Sequence, residues 1–525
     1  MDNHLMEKEV LCILDTRQIQ KYMFRSNTYV DTLGGSDLMA RIVGDAIRSA
    51  IKSIDPPLKP HEYDLSLDPD APIPYFDDKD VLLQLVICAA GNAMFLARTG
   101  RLAQKIIRKI SRYYLDHGYS LNLAAAAVEK TENMDQDIFE LYKKLYDFKA
   151  SADISDPLGA LPVVLREERT GQPVIGRDED RGDYISGASF NRRRQAANRG
   201  EIFDLKDMRT TLGADGKRYK AVLHVDGNNL GITIRKMLQR TEDYQTGIRA
   251  RRRINYSIES QYKSIMKRTL AQLRDYYDGL GRSDPNFAHE FQVIHNEGDD
   301  INCMCNAELA FPFMDFFFEN LADAYIGEVD GRPIPLYCCG GICFATEESD
   351  FHAAFTMAEE CCENAKKTSK MEKNLRDGLA GNWIDFQICD SPYVQELDML
   401  RENSYVTDTN VNLALRPYCL DEVAKDEEYA YGRFRKRVST LQRLEREYGM
   451  RTVNRLGENY RLERFMYLEQ VHRLAQNGFD LEALLGSPFY RDENGNTYAT
   501  WYDALKVMPF IPDAPTCSGN GATHD

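Results

Sequence analysis

The stretch Phe291-Gln-Val-Ile-His-Asn-Glu-Gly-Asp-Asp-Ile-Asn-Cys-Met-Cys305 decides the fold. Its apolar run ending at Ile294 predicts a strand, and Ile301, Cys303 and Cys305 alternate as a returning one. Gly298 can supply the positive φ that a tight reversal needs. A hairpin built this way presents Asp299 and Asp300 side by side at its tip. Two adjacent carboxylates repel one another, so holding both ionised favours a bound cation. Hard oxygen donors of this kind suit Mg²⁺ or Mn²⁺. Alone, Gly-Asp-Asp is more simply a solvated acidic turn.

It is not alone. Upstream stands Tyr219-Lys-Ala-Val-Leu-His-Val-Asp-Gly-Asn-Asn-Leu-Gly231, a short apolar strand with Asp226 at its end and a Gly/Asn-rich turn after it. A strand-end carboxylate beside an acidic hairpin is the metal site of palm-type polymerases and nucleotide cyclases. There the metals polarise an α-phosphate, lower the pKa of an attacking ribose hydroxyl and neutralise the pyrophosphate leaving group. A helix or turn cap is the alternative for Asp226, and the two motifs together outweigh it. Asn228 and Asn229 read as turn formers.

The same order of elements stands earlier in the chain. Val10 to Leu14 predicts a strand followed by Asp15, then a helical stretch from Gln18 to Phe24 leading into Thr32-Leu-Gly-Gly-Ser36. A hairpin turning at Ala90-Gly91-Asn92, a helix, a strand and a helix ending near Lys149 complete the unit. Asp15 precedes Gly91 by nearly the interval that separates Asp226 from Gly298, and the second unit closes with a helix from Phe351 to Lys366. The pattern implies two copies of one α+β palm unit. Only the second hairpin carries carboxylates, so one copy would hold metal and donor triphosphate and the other the acceptor.

Residues 55–80 are rich in Pro and Asp and read as an exposed insertion, while 151–212 reads as a polar connector. The resulting expectation is a first unit over 1–150, a second over 213–390, a helical C-terminal domain over 391–512, and a disordered tail over 513–525. The formal net charge of −16 argues against a general nucleic-acid-coating surface; Arg249-Ala-Arg-Arg-Arg253 reads as a solvated helix face. Twelve cysteines include no C-x-x-C pair, so a structural zinc site is not expected, and those in apolar strands act as small hydrophobes. With no signal peptide and no apolar run of spanning length, the expectation is a cytoplasmic protein without membrane contact.

Taken together, these residues resemble the large polymerase/cyclase subunit of type III CRISPR effector complexes, most of all its smaller stand-alone relatives. Asp15-Thr-Arg-Gln-Ile-Gln-Lys-Tyr-Met-Phe24 with Leu33-Gly-Gly-Ser36 looks like that family's opening palm motif, and Ala90-Gly91-Asn92 like its first hairpin. His224-Val-Asp-Gly-Asn-Asn-Leu-Gly231 and Gly298-Asp-Asp300 are similar to its second-palm metal motifs, and Ala365-Lys366 to its phosphate-contacting lysine. The resemblance implies two ferredoxin-like (GGDEF-like) palms in tandem, and synthesis of cyclic oligonucleotides, cyclic oligoadenylate or a cyclic dinucleotide, from ATP or another NTP in antiviral defence. It points to Asp226, Asp299 and Asp300 as catalytic metal ligands for Mg²⁺ or Mn²⁺. Gly227, Asn228, Gly298, Lys366, Asp15, Gly35, Ser36, Gly91 and Asn92 would contact nucleotide. Lys366 reads equally as a helix-end lysine, and Ser36 as a helix cap. RNA, CRISPR-type proteins or a second copy of the chain are the expected partners; an RNA-associated scaffold with little activity is the alternative function. Three departures stand out: Glu297 where the family has a first hairpin glycine, no four-cysteine zinc site between the palms, and no HD nuclease motif. DNA cleavage is therefore not expected. His224 and His295 lack metal-ligand spacing and receive no catalytic role.

Overall fold

The computed structural model describes residues 3–26, 28–89, 91–151, 163–178, 182–197, 207–238, 243–282, 287–329, 332–375, 380–391, 396–421, 427–462 and 464–512. The tail expected over 513–525 lies outside them.

The first half runs β1 (Val10–Arg17), α1 (Ile19–Phe24), α2 (Tyr29–Ser53), β2 (Tyr63–Asp64), β3 (Leu83–Ala89), β4 (Asn92–Ala97), α3 (Gly100–Tyr113), β5 (Asn122–Glu129) and α4 (Met134–Ser151). Its sheet is ordered β2-β3-β4-β1-β5. The uninterrupted apolar run of β1 suits a central strand covered on both faces. Val10, Cys12 and Leu14 pack with α2 and α3, and Leu11 and Ile13 with α4. Thr28 and Thr99 start α2 and α3 by accepting from the backbone N–H three residues on. The stretch 55–80 is not wholly exposed: it supplies β2, and Ile73 and Tyr75 are buried in the core beside β3.

A small ribbon, β6 (Val174–Arg177) and β7 (Tyr184–Ser186), leads into α5 (Gly187–Ala197). The described part of the expected connector has a core role, since α5 lies along α2. Arg192 is fully buried and donates to the Tyr22 carbonyl at 2.6 Å.

The second half contains β8 (Thr211–Leu212), β9 (Arg218–Gly227), α6 (Leu230–Leu238), α7 (Tyr244–Gly279), β10 (Phe291–Glu297), β11 (Asp300–Asn306) and α8 (Ala310–Leu321). After a ribbon of β12 (Tyr325–Val329) and β13 (Arg332–Pro335) come β14 (Cys338–Thr346), α9 (Phe351–Ser369) and β15 (Trp383–Cys389). Beyond them are α10 (Leu397–Ser404), β16 (Val411–Asn412) and β17 (Tyr418–Cys419). This sheet is ordered β10-β11-β9-β14-β15-β17, with β8 on β9.

The two sheets repeat one another in detail. β3-β4-β1-β5 and β10-β11-β9-β14 have the same order and sense. Ala89 faces Asn92 and Glu297 faces Asp300, and each hairpin carries a register shift at the same place, between Leu85 and Ile87 and between Val293 and His295. Three residues after Asp15 and after Asp226, Gln18 and Asn229 both take the left-handed conformation. The glycines differ, however. Gly91 directly precedes β4, whereas Gly298 is followed by Asp299, so Asp299 and not Gly298 is the counterpart of Gly91.

The halves share a core. Phe24 of α1 packs on Phe351, His352 and Phe355 of α9. The basic run on α7 is solvated only in part: Arg249 and Arg253 are exposed, Arg253 pairing with Asp70, whereas buried Arg251 bonds Asp135 and buried Arg252 donates to the Leu85 carbonyl at 2.8 Å. Arg252 thereby satisfies a carbonyl at the first hairpin's register shift.

The chain ends in α11 (Tyr431–Tyr448), α12 (Met450–Leu462), α13 (Arg464–Gln476), α14 (Leu481–Leu485), β18 (Phe489–Arg491), β19 (Thr497–Ala499) and α15 (Tyr502–Val507). It is less purely helical than its periodicity suggests: β17 belongs to the second sheet, and β16-β19-β18 form a small sheet. Buried Asp503 of α15 accepts from the Leu415 and Arg416 N–H groups and Tyr418 Oη, and pairs with the Arg416 guanidinium. Among the described residues, no helix is long and apolar enough to cross a membrane.

Candidate active site

Asp226 sits one residue beyond the Val225–Ile301 pair, past the last pair of β9 with β11 but still opposite Cys339 of β14. The hairpin tip brings Asp299 over Gly227, and a methyl group at 227 would overlap the Asp299 carboxylate. Gly227 therefore serves by lacking a side chain. Burial pushes the Asp299 carboxyl up to about 6, assisted by the negative charges of Asp226 and Asp300 and opposed by Lys366. Lys366 reaches in from the last turn of α9 and forms an ion pair with Asp226, with Glu363 at 3.6 Å. Burial acts to lower the Lys366 pKa, but Asp226 outweighs it and the ammonium is held firmly charged. Asp226, Asp299 and Lys366 thus come together.

Asp300 is engaged differently. Asn302 Nδ2 donates to its Oδ1 at 2.7 Å, His224 Nδ1 lies 3.7 Å from Oδ1, and His295 Nε2 lies 3.8 Å from Oδ2. His224 also bonds Asn302 Oδ1 at 2.6 Å, and His295 bonds Ser36 Oγ at 2.8 Å. Spacing along the sequence conceals this group. It exists because His295 faces Asn302, and Asn302 faces His224, across three strands. Asn228 is buried and donates to Ser369 Oγ and the Gly381 carbonyl, tying the strand end to α9. Gly298 turns the tip with φ 61°. Beside it, Glu297 is pushed up to about 7 by burial and by the charges of Glu259, Asp300 and Asp37, against the pull of Lys263.

The first half reproduces the frame with other chemistry. Asp15, opposite Asn92, pairs with Lys149 from the end of α4, as Asp226 pairs with Lys366. Each lysine stands equally far from the side-chain cap heading its helix, Asn133 or Asp350. Thr16, the counterpart of Gly227, donates from Oγ1 to the Gly91 carbonyl at 2.6 Å. One copy thus has the side chain on the strand and glycine at the tip; the other has glycine on the strand and aspartate at the tip.

Gly35 and Ser36 are not at a helix start. They lie inside α2, buried, so their N–H groups belong to the helix rather than to a phosphate. A methyl at neighbouring Gly34 would overlap the Arg192 carbonyl, so this glycine permits α2 and α5 to approach closely.

Between the halves is a cavity of about 780 Å³. Val86–Ala89 of β3 form one wall, the tip Asn296–Asp299 another, and Arg252, Tyr256, Tyr262 and Lys263 of α7 line it further. Among the described residues the eleven cysteines are unpaired and all but Cys88 are buried; burial drives thiols such as Cys303 and Cys338 upward, keeping them neutral. Among the described residues, no three His, Cys, Asp or Glu side chains form a metal cage by themselves.

The chain is thus a mixed α+β protein with an acid cluster at a strand end. The sequence matches no protein-family model and no curated protein. Among solved structures, the chain resembles the Csm1–Csm4 cassette in complex with AMPPNP, with TM-score 0.51 and 13% identity over 96% of this chain and 70% of that one. The cassettes in complex with pppApA and with cA3 give TM-scores of 0.51 and 0.50, each at 14% identity over 97% of this chain and 70% of theirs. At such identity the likeness is one of fold.

Proposed function

We propose that this chain is a metal-dependent nucleotidyltransferase of the type III CRISPR large-subunit kind, making cyclic oligonucleotides from ATP in antiviral defence. Two ferredoxin-like palm units in tandem, about 1–150 and 213–390, joined by 151–212 and followed by the domain over 391–512, would form it. The observation that carries the reading is the Asp226–Asp299–Lys366 cluster, whose Asp299 lines a cavity walled by the other half's hairpin strand. The cassettes of similar fold are complexes with AMPPNP, pppApA and cA3, which fits a nucleotide in that cavity.

Mg²⁺ or Mn²⁺ suits the donor set. Asp299 is already raised to about 6, partly by Asp226, and a shared cation relieves that repulsion. Mg²⁺ commonly takes one or two carboxylates and fills its shell with water and phosphate oxygens, so no full protein cage is required. Asp226 and Asp299 would hold it, with Asp300 as the third candidate. Bound there, it would polarise the α-phosphate and neutralise departing pyrophosphate. Lys366 brings positive charge to the triphosphate, while Asp15, Asn92 and Lys149 hold the acceptor with its hydroxyl toward the α-phosphate.

The test is incubation of the purified chain with ATP and Mn²⁺, with and without RNA, resolving products by chromatography. Cyclic products, lost by orders of magnitude in Asp226→Ala, are expected. A chain that neither binds Mn²⁺ with AMPPNP nor forms product rejects the proposal. It would favour the second reading, an RNA-associated scaffold subunit of a CRISPR ribonucleoprotein. Glu297 favours that reading, since it places a half-buried carboxyl in the cavity wall.

A further inference from the structure

The first half does more to the second than close one side of the cavity. Ser36 lies on α2 of the first half, but its hydroxyl meets His295 on β10 of the second, 2.8 Å from Nδ1. Both residues are buried, at 3% and 8% exposure. The other ring nitrogen of His295 faces Asp300 Oδ2 at 3.8 Å, a charge contact just beyond hydrogen-bond length. One tautomer suits both neighbours: Nε2 carries the proton toward the carboxylate, and Nδ1 accepts from the Ser36 hydroxyl. The second oxygen, Oδ1, is held by Asn302, which His224 holds in turn.

Packing alone does not call for this group. The same places in the first half are filled by Ile87, Met94 and Ile13, which face one another across β3, β4 and β1 as His295, Asn302 and His224 do across β10, β11 and β9. An apolar row is therefore compatible with this frame. Burying three polar side chains instead is unfavourable unless they are hydrogen-bonded, and here their contacts converge on Asp300. α2 is also fixed in register on β10: one face of the helix carries Tyr29, whose hydroxyl donates to Gln292 Oε1 at 2.9 Å, and Ser36 two turns further on.

We infer that Ser36 and His295 are positioning residues through which α2 of the first half sets the Asp300 carboxylate of the second. The inference rests on Asp300 belonging to the metal-and-nucleotide site proposed above. It makes that site a joint product of both halves, and it gives the Leu33-Gly-Gly-Ser36 motif a role without direct nucleotide contact.

The experiment titrates the full chain with Mn²⁺ in the presence of AMPPNP, by calorimetry, for wild type, Ser36→Ala, His295→Ala and the double variant. Loss of a residue that orients a ligand typically weakens metal affinity about 10- to 100-fold. Each single variant is expected to bind Mn²⁺ at least about tenfold more weakly, and the double variant no more weakly than the worse single one. The Mn²⁺ concentration for half-maximal activity should rise by the same factor. KM for ATP at saturating Mn²⁺ should hold, and Ser36→Thr, which keeps the hydroxyl, should recover affinity. Thermal melts establish folding, and Ser36→Ala decides alone should His295→Ala fail to fold. Unchanged Mn²⁺ affinity in folded Ser36→Ala, or independent losses that multiply in the double variant, overturns the inference and leaves the proposed function standing. Absence of Mn²⁺ binding by wild type overturns the inference, and absence of product as well overturns both.

Discussion

At position 227 the chain needs empty space, because the Asp299 carboxylate fills the volume a side chain would take. Gly227→Ala should leave the strand intact and displace Asp299. A displacement of about 1 Å at a reacting centre can reduce rate about 100-fold, and a loss of that order is expected in the ATP assay with little change in melting temperature. The same carboxylate makes a stability prediction. Asp299 and Glu297 stand at about 6 and about 7, above their ordinary 3.8 and 4.5, so the folded state binds protons more tightly than the unfolded one. Their contribution is fully present below the ordinary values and is lost as pH rises through about 6 to 7. Wild type should therefore melt at lower temperature at pH 8 than at pH 5.5 as far as these two groups control it. Asp299→Asn and Glu297→Gln should each flatten that trend, and Asp299→Asn should melt higher than wild type at pH 8 while losing activity. A steeper pH trend in either variant would contradict the assignment. The sequence motifs singled out Asp226, Asp299 and Lys366, which the fold brings together. They did not group His224, His295 and Asn302, whose contacts arise from strand register rather than sequence spacing.

At the scale of elements, the second hairpin was readable because its turn glycine and alternating apolar residues lie within one short window. Aligning the two hairpins by glycine fails by one position, because the turns place glycine differently. The Leu33-Gly-Gly-Ser36 stretch misled for another reason. Glycines usually mark a helix end, but here tertiary packing against Arg192 and Met23 requires them inside α2. The exchange of side chain and glycine between the hairpins predicts a coupling. Gly91→Asp should destabilise the first half, since its side chain meets Thr16 and Ile19 at a position with φ 78°. Adding Thr16→Gly should recover part of the loss, with a coupling of about 0.5–3 kcal/mol in a thermal or denaturant double-mutant cycle. Strict additivity would show that the two positions are independent.

For the whole molecule, the repeat was legible in element order, and its asymmetry in which hairpin bears acid. The sharing of one core was not legible, because side chains such as Phe24 and Phe355 reveal their partners only across long sequence separations. Under the proposed function, the asymmetry implies a division of labour that can be measured. Asp299→Asn should depress kcat by orders of magnitude at any ATP concentration, since it removes stabilisation that grows as charge develops at phosphorus. Asp15→Asn and Asn92→Ala should chiefly raise KM or shift products toward linear oligonucleotides, with a smaller loss of kcat. If Asp15→Asn is as inactive as Asp299→Asn throughout, with both folded, the first half belongs to the chemical centre itself.

The exchanged pairs, Thr16 with Gly91 and Gly227 with Asp299, also bear on how such a chain can change over generations. An acid cannot be introduced at the first tip by one substitution without meeting Thr16, and removing Thr16 first deletes its bonds to the Gly91 carbonyl and Tyr114 Oη. In the second half, filling Gly227 while Asp299 remains displaces the acid. Each half therefore sits on a local mutational peak, separated from the other arrangement by unfavourable single steps. In a repeated fold of this kind, local steric complementarity is enough to hold the two hairpins in their different arrangements.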